Sequence, residues 1–282
     1  MVIFLGSLLL DAIEGLLSDG LLNSNYNNLT LQNVFGSSAY NFIISVRDNI
    51  FLNVAYTLLG LFILMELWRI SVKTDGAGGG GYSAYDVTMI VLKAVFFKCI
   101  VDIAPRLFEE IFNVTTALSS DVLNISSGFS DIDTNFIGLL RDQYDSLGFL
   151  DSLGPMILMV LLLLVVAVAV FAGTAIVHLR FVEILIFLAV SPIPLATLPS
   201  QEMSQIGKSF LKSFTAVCLQ GVIIVIASQF CPFIITKFVN SVNVVGGATM
   251  ISAMFRLSLG CIIYILALFQ TSKWAKQICN AM

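Results

Sequence analysis

Met156–Pro199 decides the fold. It opens with Met156-Ile-Leu-Met-Val-Leu-Leu-Leu-Leu-Val-Val-Ala-Val-Ala-Val-Phe-Ala-Gly-Thr-Ala-Ile-Val177 and closes with Ser191-Pro-Ile-Pro-Leu-Ala-Thr-Leu-Pro199. The opening run has 22 residues without a charge. At about 1.5 Å per residue, a helix of this length spans the ~30 Å hydrocarbon core of a bilayer. The sequence therefore predicts a membrane protein.

The closing part of this stretch, Phe181–Pro199, is apolar but contains Pro192, Pro194 and Pro199. An interior proline removes a backbone donor and clashes with the preceding turn of a helix. Unpaired backbone is tolerated at membrane depth only where protein or a water-filled cavity covers it. We predict a broken, re-entrant segment that dips into the membrane and returns.

Composition excludes several classes of function. The chain is 58% hydrophobic and 11% charged, against about 25% charged in soluble domains, which favours several membrane spans over a soluble core. A net charge of −4 without a basic stripe argues against specific nucleic-acid binding. With His178 as the one histidine and no Cys-x-x-Cys pair, neither a metal site nor a cofactor is expected.

Apolar runs elsewhere predict further transmembrane helices. They are Ile50–Trp68, Val87–Ala104, Phe214–Ile235 and Ala248–Phe269. With Met156–Val177 they give an all-α, polytopic membrane protein of about five transmembrane helices plus the re-entrant segment. Pro105 is expected to end the second span.

Four consecutive regions follow from this reading. Residues 1–49 form an amphipathic helix, with Ser7, Asp11, Glu14 and Ser18 on one stripe, and an asparagine-rich linker. Residues 50–104 carry two spans joined by a glycine-rich cytoplasmic loop. Residues 105–154 form an acidic extracytoplasmic insertion, a helix start followed by a loop from Ser119. Residues 155–282 hold the central span, the re-entrant segment, two further spans and a cytoplasmic tail.

Basic residues set the expected orientation. A returning segment with an extracytoplasmic N-terminus places seven basic residues inside and four outside. A six-span alternative with a cytoplasmic N-terminus also places seven basic residues inside. Two of those seven lie in the long insertion, where charge counts least, and this alternative places Arg69 and Lys73 outside the cytoplasm. We therefore expect a multi-pass protein of the bacterial cytoplasmic membrane with its C-terminus in the cytoplasm.

Charged residues within apolar segments are the candidate functional residues. Arg180 and Glu183 lie one helical turn apart and could pair. Lys93, Lys98 and Arg256 need an acidic partner or water if they are buried, and Glu183 is one candidate partner. The alternative is that these basic side chains only extend to the membrane surface.

One stretch is similar to a known family. The segment Arg180-Phe-Val-Glu183 through Ser191-Pro-Ile-Pro194-Leu-Ala-Thr197, with Gln205-Ile-Gly207 and Gln220-Gly221 after it, resembles the TrbL-like polytopic subunit of type IV secretion systems, in the branch found in Gram-positive anaerobes. Where that branch often has an aromatic residue and a glycine after the acidic residue near Glu202, this chain has Met203-Ser204.

The resemblance implies a non-enzymatic, inner-membrane channel or scaffold subunit of a conjugation machine. It also implies a homo-oligomer of about five copies around a symmetry axis. The implied partners are other secretion-system subunits, lipid and a DNA–protein substrate in transit.

A second hypothesis remains open. A secondary transporter could use the discontinuous segment to bind a small solute at the midplane of the membrane. Against it, the spans contain few polar residues and no internal repeat is evident in the sequence.

Overall fold

The computed structural model describes residues 2–16, 31, 35–76, 84–126, 141–142, 144, 148, 152–240 and 247–281. Every element within these residues is helical. The elements are α1 (Val2–Gly15), α2 (Ser37–Val46), a π-helical turn (Arg47–Phe51), α3 (Leu52–Gly76), α4 (Ala84–Ser126), α5 (Leu153–Val190), α6 (Pro192–Ala196), α7 (Ser204–Asn240) and α8 (Gly247–Ile278). The predicted all-α fold is confirmed.

Four helical stretches in the described part of the chain are long and apolar enough to cross a membrane. They are Ser37–Val72, Leu153–Val190, Ser204–Cys231 and Ile251–Ile278. The expected second span, Val87–Ala104, is helical within α4 but is not among the four. The physical reason is its charge, since Lys93, Lys98 and Asp102 all lie within it. The protein is therefore polytopic, and the described residues contain four clear candidate spans where about five were expected.

The expected end of a helix at Pro105 is wrong. Helix α4 continues through Pro105 to Ser126, so the predicted loop from Ser119 is also helical as far as Ser126. Buried residues on one face of α4 continue across the proline, among them Val101, Ala104, Phe108 and Phe112. Packing on both sides of Pro105 thus outweighs the loss of one backbone hydrogen bond.

The break after the central span begins later than predicted. Helix α5 continues without interruption through His178 and Phe181 to Val190, where a separate re-entrant segment was expected from Phe181. The interruption is confined to α6 and the turns that lead to Ser204. At about 1.5 Å per residue, the 38 residues of α5 extend ~57 Å, nearly twice the hydrocarbon thickness.

The chain forms two compact units built from interleaved segments. The first contains Met1–Asn28, Thr116–Leu179 and Gln220–Trp274; the second contains Leu29–Thr115, Arg180–Leu219 and Ala275–Met282. Helices α4, α5, α7 and α8 each contribute to both units.

The predicted polar stripe of the N-terminal helix stays a prediction, because the structure describes the side chain of only one of its four residues, Asp11. Leu10 and Ile13 are buried, whereas Asp11 is exposed and forms an ion pair with Arg141. The polar position Ser18 lies outside the described residues. Most of the asparagine-rich linker, the glycine-rich loop at 77–83 and residues 127–140 of the acidic insertion do so too.

Candidate functional site

The proline-containing segment forms the tip of a helical hairpin made by α5 and α7. Near the tip, the rings of Phe187 and Phe210 lie 5.2 Å apart. Farther from the tip, Arg180 reaches the main chain of Val217 and Cys218. Because contacts from earlier residues of α5 fall on later residues of α7, the two helices are antiparallel. The predicted reversal of the chain at this segment is thus present.

Arg180 joins the two arms of the hairpin. Its Nε donates to the carbonyl oxygen of Val217 at 3.1 Å and its Nη2 to that of Cys218 at 3.3 Å. Each carbonyl has two lone pairs, so it can accept the guanidinium bond besides its own helical bond. The guanidinium also lies 5.3 Å from the ring centre of Phe181 and 5.9 Å from that of Phe112, within the range of cation–π attraction.

The expected pairing of Arg180 with Glu183 does not form. Arg180 is 9% exposed and takes part in none of the ion pairs among the described residues. Glu183 is half-buried on the same helix. Two main-chain carbonyls and two aromatic rings therefore stabilise the buried cation in place of a carboxylate.

Aromatic side chains attach α4 to the same hairpin. The ring of Phe108 lies 4.3 Å from that of Phe214 and 6.0 Å from that of Phe210, and Phe112 lies 6.0 Å from Phe181. Such pairs add about 0.5–1.5 kcal/mol each beyond the burial of their area. The hairpin is consequently fixed by α4 as well as by Arg180.

The tip satisfies much of its own backbone. The hydroxyl of Ser191 donates to Leu188 O at 2.8 Å, and that of Thr197 donates to Pro194 O at 2.7 Å. The hydroxyl of Ser200 accepts from Met203 N at 3.3 Å. All three side chains are buried. The hydroxyl of Ser191 thus gives Leu188 O the donor that Pro192, four residues later, lacks, and the other two hydroxyls bond to main-chain atoms within the turns.

Packing closes the tip on two sides. Helix α3 and the π-helical turn both contact α6, and Pro192 and Pro199 are buried while Pro194 is half-buried. On the α7 side, a Cβ atom placed on Gly207 would lie 2.6 Å from Leu198 Cδ2 and 2.7 Å from Pro194 O. Only glycine permits this approach of α7 to the turn.

A second polar group, which sequence reasoning missed, lies between α3 and α4. We call it the Arg47 cluster; it comprises Arg47, Asp48, Tyr56, Lys98 and Asp102. Arg47 is 4% exposed, and its Nη atoms bond to Asp48 Oδ1 at 2.5 Å and to Val101 O at 2.8 Å. Tyr56 donates to the carboxylate of Asp102, and Lys98 Nζ lies 5.8 Å from the centre of the Tyr56 ring.

The Arg47 cluster begins in the π-helical turn, which places Arg47 against α4. Hydropathy gave no sign of this, because a charge before an apolar run is typical of a solvated helix end. Single π-helical turns are rare in proteins, and those that occur are often found at functional sites. Recognition of this turn would therefore have pointed to Arg47 as a candidate residue.

The remaining predicted residues are dispersed. Lys93 and Lys98 are both exposed on α4, and Lys98 joins the Arg47 cluster. Arg256 is exposed on α8, in the other unit of the chain from Glu183. The structure thus gathers Arg180, Glu183 and the three prolines in one hairpin, whereas Lys93, Lys98 and Arg256 lie on other helices.

Comparison with known proteins gives one family. No curated protein and no solved structure matches the chain. The family model described as "TrbL/VirB6 plasmid conjugal transfer like protein" matches residues 29–192, more than half of the chain. The match covers α2 to α5 and ends at Pro192, so it overlaps the stretch that carries the sequence resemblance only over residues 180–192. This polytopic inner-membrane protein belongs to the TrbL/VirB6 plasmid conjugal transfer family.

Proposed function

We propose that this protein is a non-enzymatic channel or scaffold subunit of a type IV secretion machine that transfers DNA by conjugation. The observation that carries the proposal is the hairpin of α5 and α7. Its buried arginine and three buried hydroxyl groups are all bonded to main-chain atoms of the hairpin itself. Polar groups that bond to the main chain of the hairpin stabilise one conformation of it, as a scaffold subunit requires.

The same hairpin favours this function over solute transport. In a discontinuous transporter helix, unwound backbone and helix ends bind the solute or ion. Here the hydroxyl of Ser191 donates to Leu188 O at the end of α5, that of Thr197 donates to Pro194 O within α6, and α3 packs against α6. A covered tip whose hydroxyl groups are already bonded to the main chain supports the scaffold over the transporter.

We further propose that several copies assemble around an axis in the cytoplasmic membrane, with about five copies implied by the family resemblance. The partners would be other subunits of the secretion machine and lipid. Because the net charge is −4, the DNA–protein substrate would pass without base-specific recognition by this chain.

Gene deletion tests the role in conjugation. We expect deletion to abolish transfer of the mobile element and the intact gene supplied in trans to restore it. Transfer that continues unchanged without the gene would reject the proposal.

Particle mass tests the assembly. In mild detergent we expect a particle of several copies, measured by light scattering with the detergent contribution subtracted. A stable monomer that binds a small solute would favour the transporter instead.

A further inference from the structure

Polar side chains are exposed along one face of a candidate membrane span, Ser37–Val72. The amide of Asn53 donates to Asn49 O at 2.9 Å, and the hydroxyl of Thr57 donates to Asn53 O at 3.1 Å. These bonds place the three residues one above another along the π-helical turn and α3. All three are exposed, and Gly60 continues the same line.

Two charged residues of α4 lie beside this line. Tyr56, which precedes Thr57 on α3, donates to the carboxylate of Asp102, and Lys98 Nζ lies 5.8 Å from the centre of its ring. Lys98 and Asp102 are exposed and take part in none of the ion pairs among the described residues. We call the surface formed by Asn49, Asn53, Thr57, Lys98 and Asp102 the polar face.

The contact with Tyr56 places both charges below the surface of the membrane. The apolar run of α3 begins at Ile50, and Tyr56 comes six residues later, about 9 Å into a hydrocarbon core of ~30 Å. A lysine side chain is long enough to reach the surface from this depth, whereas the side chain of Asp102 is too short. The carboxylate therefore needs a polar environment within the membrane.

The neighbouring face of α3 is also exposed, but it is apolar. Val54 and Leu61 are 44% and 50% exposed, and helical geometry turns each of them by roughly 80–100° from Asn53. Lipid tails suit this apolar face. They are a poor cover for the polar face, because hydrocarbon offers no hydrogen bonds to amides or charged groups.

We propose that the polar face lines a water-filled recess that enters the membrane at Asn49 and extends at least to Thr57, about 12 Å at 1.5 Å per residue. Charged residues within membrane spans usually face a protein interior or a water-filled cavity, and this face is exposed on the chain. Water satisfies Lys98 and Asp102 alike, whereas a protein cover would need a matched partner for each charge. As the wall of a passage, the recess rests on the channel role of the proposed function, of which it names the wetted surface.

Cysteine accessibility in native membranes tests the recess. In a background with Cys99 and Cys279 changed to Ser, the remaining three cysteines are buried. A charged, membrane-impermeant thiosulfonate is added to intact cells or to inside-out vesicles. A thiol reacts as its thiolate, which forms in water and not in hydrocarbon. The reagent should therefore modify only cysteines that water reaches.

Two pairs of variants compare the faces at similar depth. Asn53→Cys and Thr57→Cys should react roughly tenfold faster or more than Val54→Cys and Leu61→Cys, and from one side of the membrane only. All four positions are exposed, so none of the changes disturbs a buried contact.

Three results would overturn the proposal. Equal rates in all four variants would place this part of α3 outside the hydrocarbon. No reaction of the polar-face variants under any condition would show that water does not reach them. Reaction only after detergent separates the chains would show that another protein covers the face. If gene deletion abolishes transfer in any of these cases, the recess is rejected and the proposed function stands. If labelling is as expected but deletion leaves transfer unchanged, the recess stands and the role in conjugation fails.

Discussion

Arg180 is held by main-chain oxygens and aromatic rings, and this determines which residues can replace it. Lysine cannot bond two carbonyls with a rigid fork, and its ammonium would keep a buried charge without a carboxylate. We expect Arg180→Lys to cost about 1.5–3 kcal/mol of stability. Arg180→Met keeps the aliphatic length and buries no charge, so it should cost less. The carbonyls of Val217 and Cys218 retain their helical bonds in both variants.

The measurement for Arg180 is the thermal midpoint of the detergent-solubilised protein, followed by size-exclusion chromatography. The midpoint should fall in the order wild type, Met, Lys. If Lys resembled the wild type and Met unfolded, the positive charge itself, rather than the fork geometry of the guanidinium, would be what this position requires.

Gly207 should tolerate substitution even less, because one of the atoms that a side chain would meet there belongs to the backbone. A Cβ atom at 2.7 Å from Pro194 O cannot be relieved by a change of rotamer. Gly207→Ala should therefore destabilise the protein by about 1–3 kcal/mol, as overpacking usually does. Gly60→Ala is the matched control in α3, where nothing lies within 4 Å of the added Cβ, and it should be neutral or slightly stabilising. Similar midpoints for the two variants would contradict the close approach of α7 to the turn.

Residue type predicted some of these positions better than others. The prolines and Arg180 stand out because each is costly in an apolar helix unless something compensates for it. Gly207 looked like any other helical glycine, since the atoms that crowd it come from Pro194 and Leu198, on the other side of the turn. Arg47 looked solvated, because only the π-helical turn brings it to Val101. Tertiary contacts of this kind are not visible in local sequence.

Among the elements, α6 and its flanking turns should depend on their prolines. With Pro192→Ala and Pro194→Ala together, α5 can continue past Val190, which weakens the reversal into α7. We expect trypsin to cut after the exposed Lys208 several times faster than in the wild type. Pro105→Ala is the control: α4 already continues through that position, so the change restores a helical hydrogen bond and should leave the cleavage rate unchanged. Unchanged cleavage in the double variant would show that packing alone holds the tip.

Pro105 and Pro192 illustrate how far the ends of helices could be predicted. Proline was expected to end a helix at Pro105 and to break one near Pro192, and only the second happened. At Pro105 a single missing bond competes with buried residues on both sides, whereas Ser191–Pro199 concentrates three prolines in nine residues. The rule that proline interrupts a helix predicted the reversal between α5 and α7. The lengths of α4 and α5 depend on packing, which that rule does not include.

At the scale of the whole molecule, the sequence did not predict that each compact unit is built from separate segments of the chain. Consecutive regions with boundaries near 50, 105 and 155 were expected from composition. The compact units instead take segments from distant parts of the chain, and α5 changes from one unit to the other at Arg180, the residue that ends its apolar run. Composition cannot tell which distant segments pack beside each half of α5.

Orientation in the membrane is the remaining prediction at this scale. Basic residues near the helix ends, with Lys273 and Lys276 in the last turns of α8, favour a cytoplasmic C-terminus. The segment between α4 and α5, residues 127–152, has Arg141 as its single basic residue, which favours an extracytoplasmic position.

In a bacterial host, green fluorescent protein fused after Met282 should fluoresce, because it folds in the cytoplasm. Alkaline phosphatase inserted within residues 127–140 should be active, because it needs the oxidising exterior. Each reporter placed at the other position is the control and should be silent. A fluorescent fusion within 127–140 would place that segment in the cytoplasm, and basic residues near helix ends would then not have set the orientation of this protein.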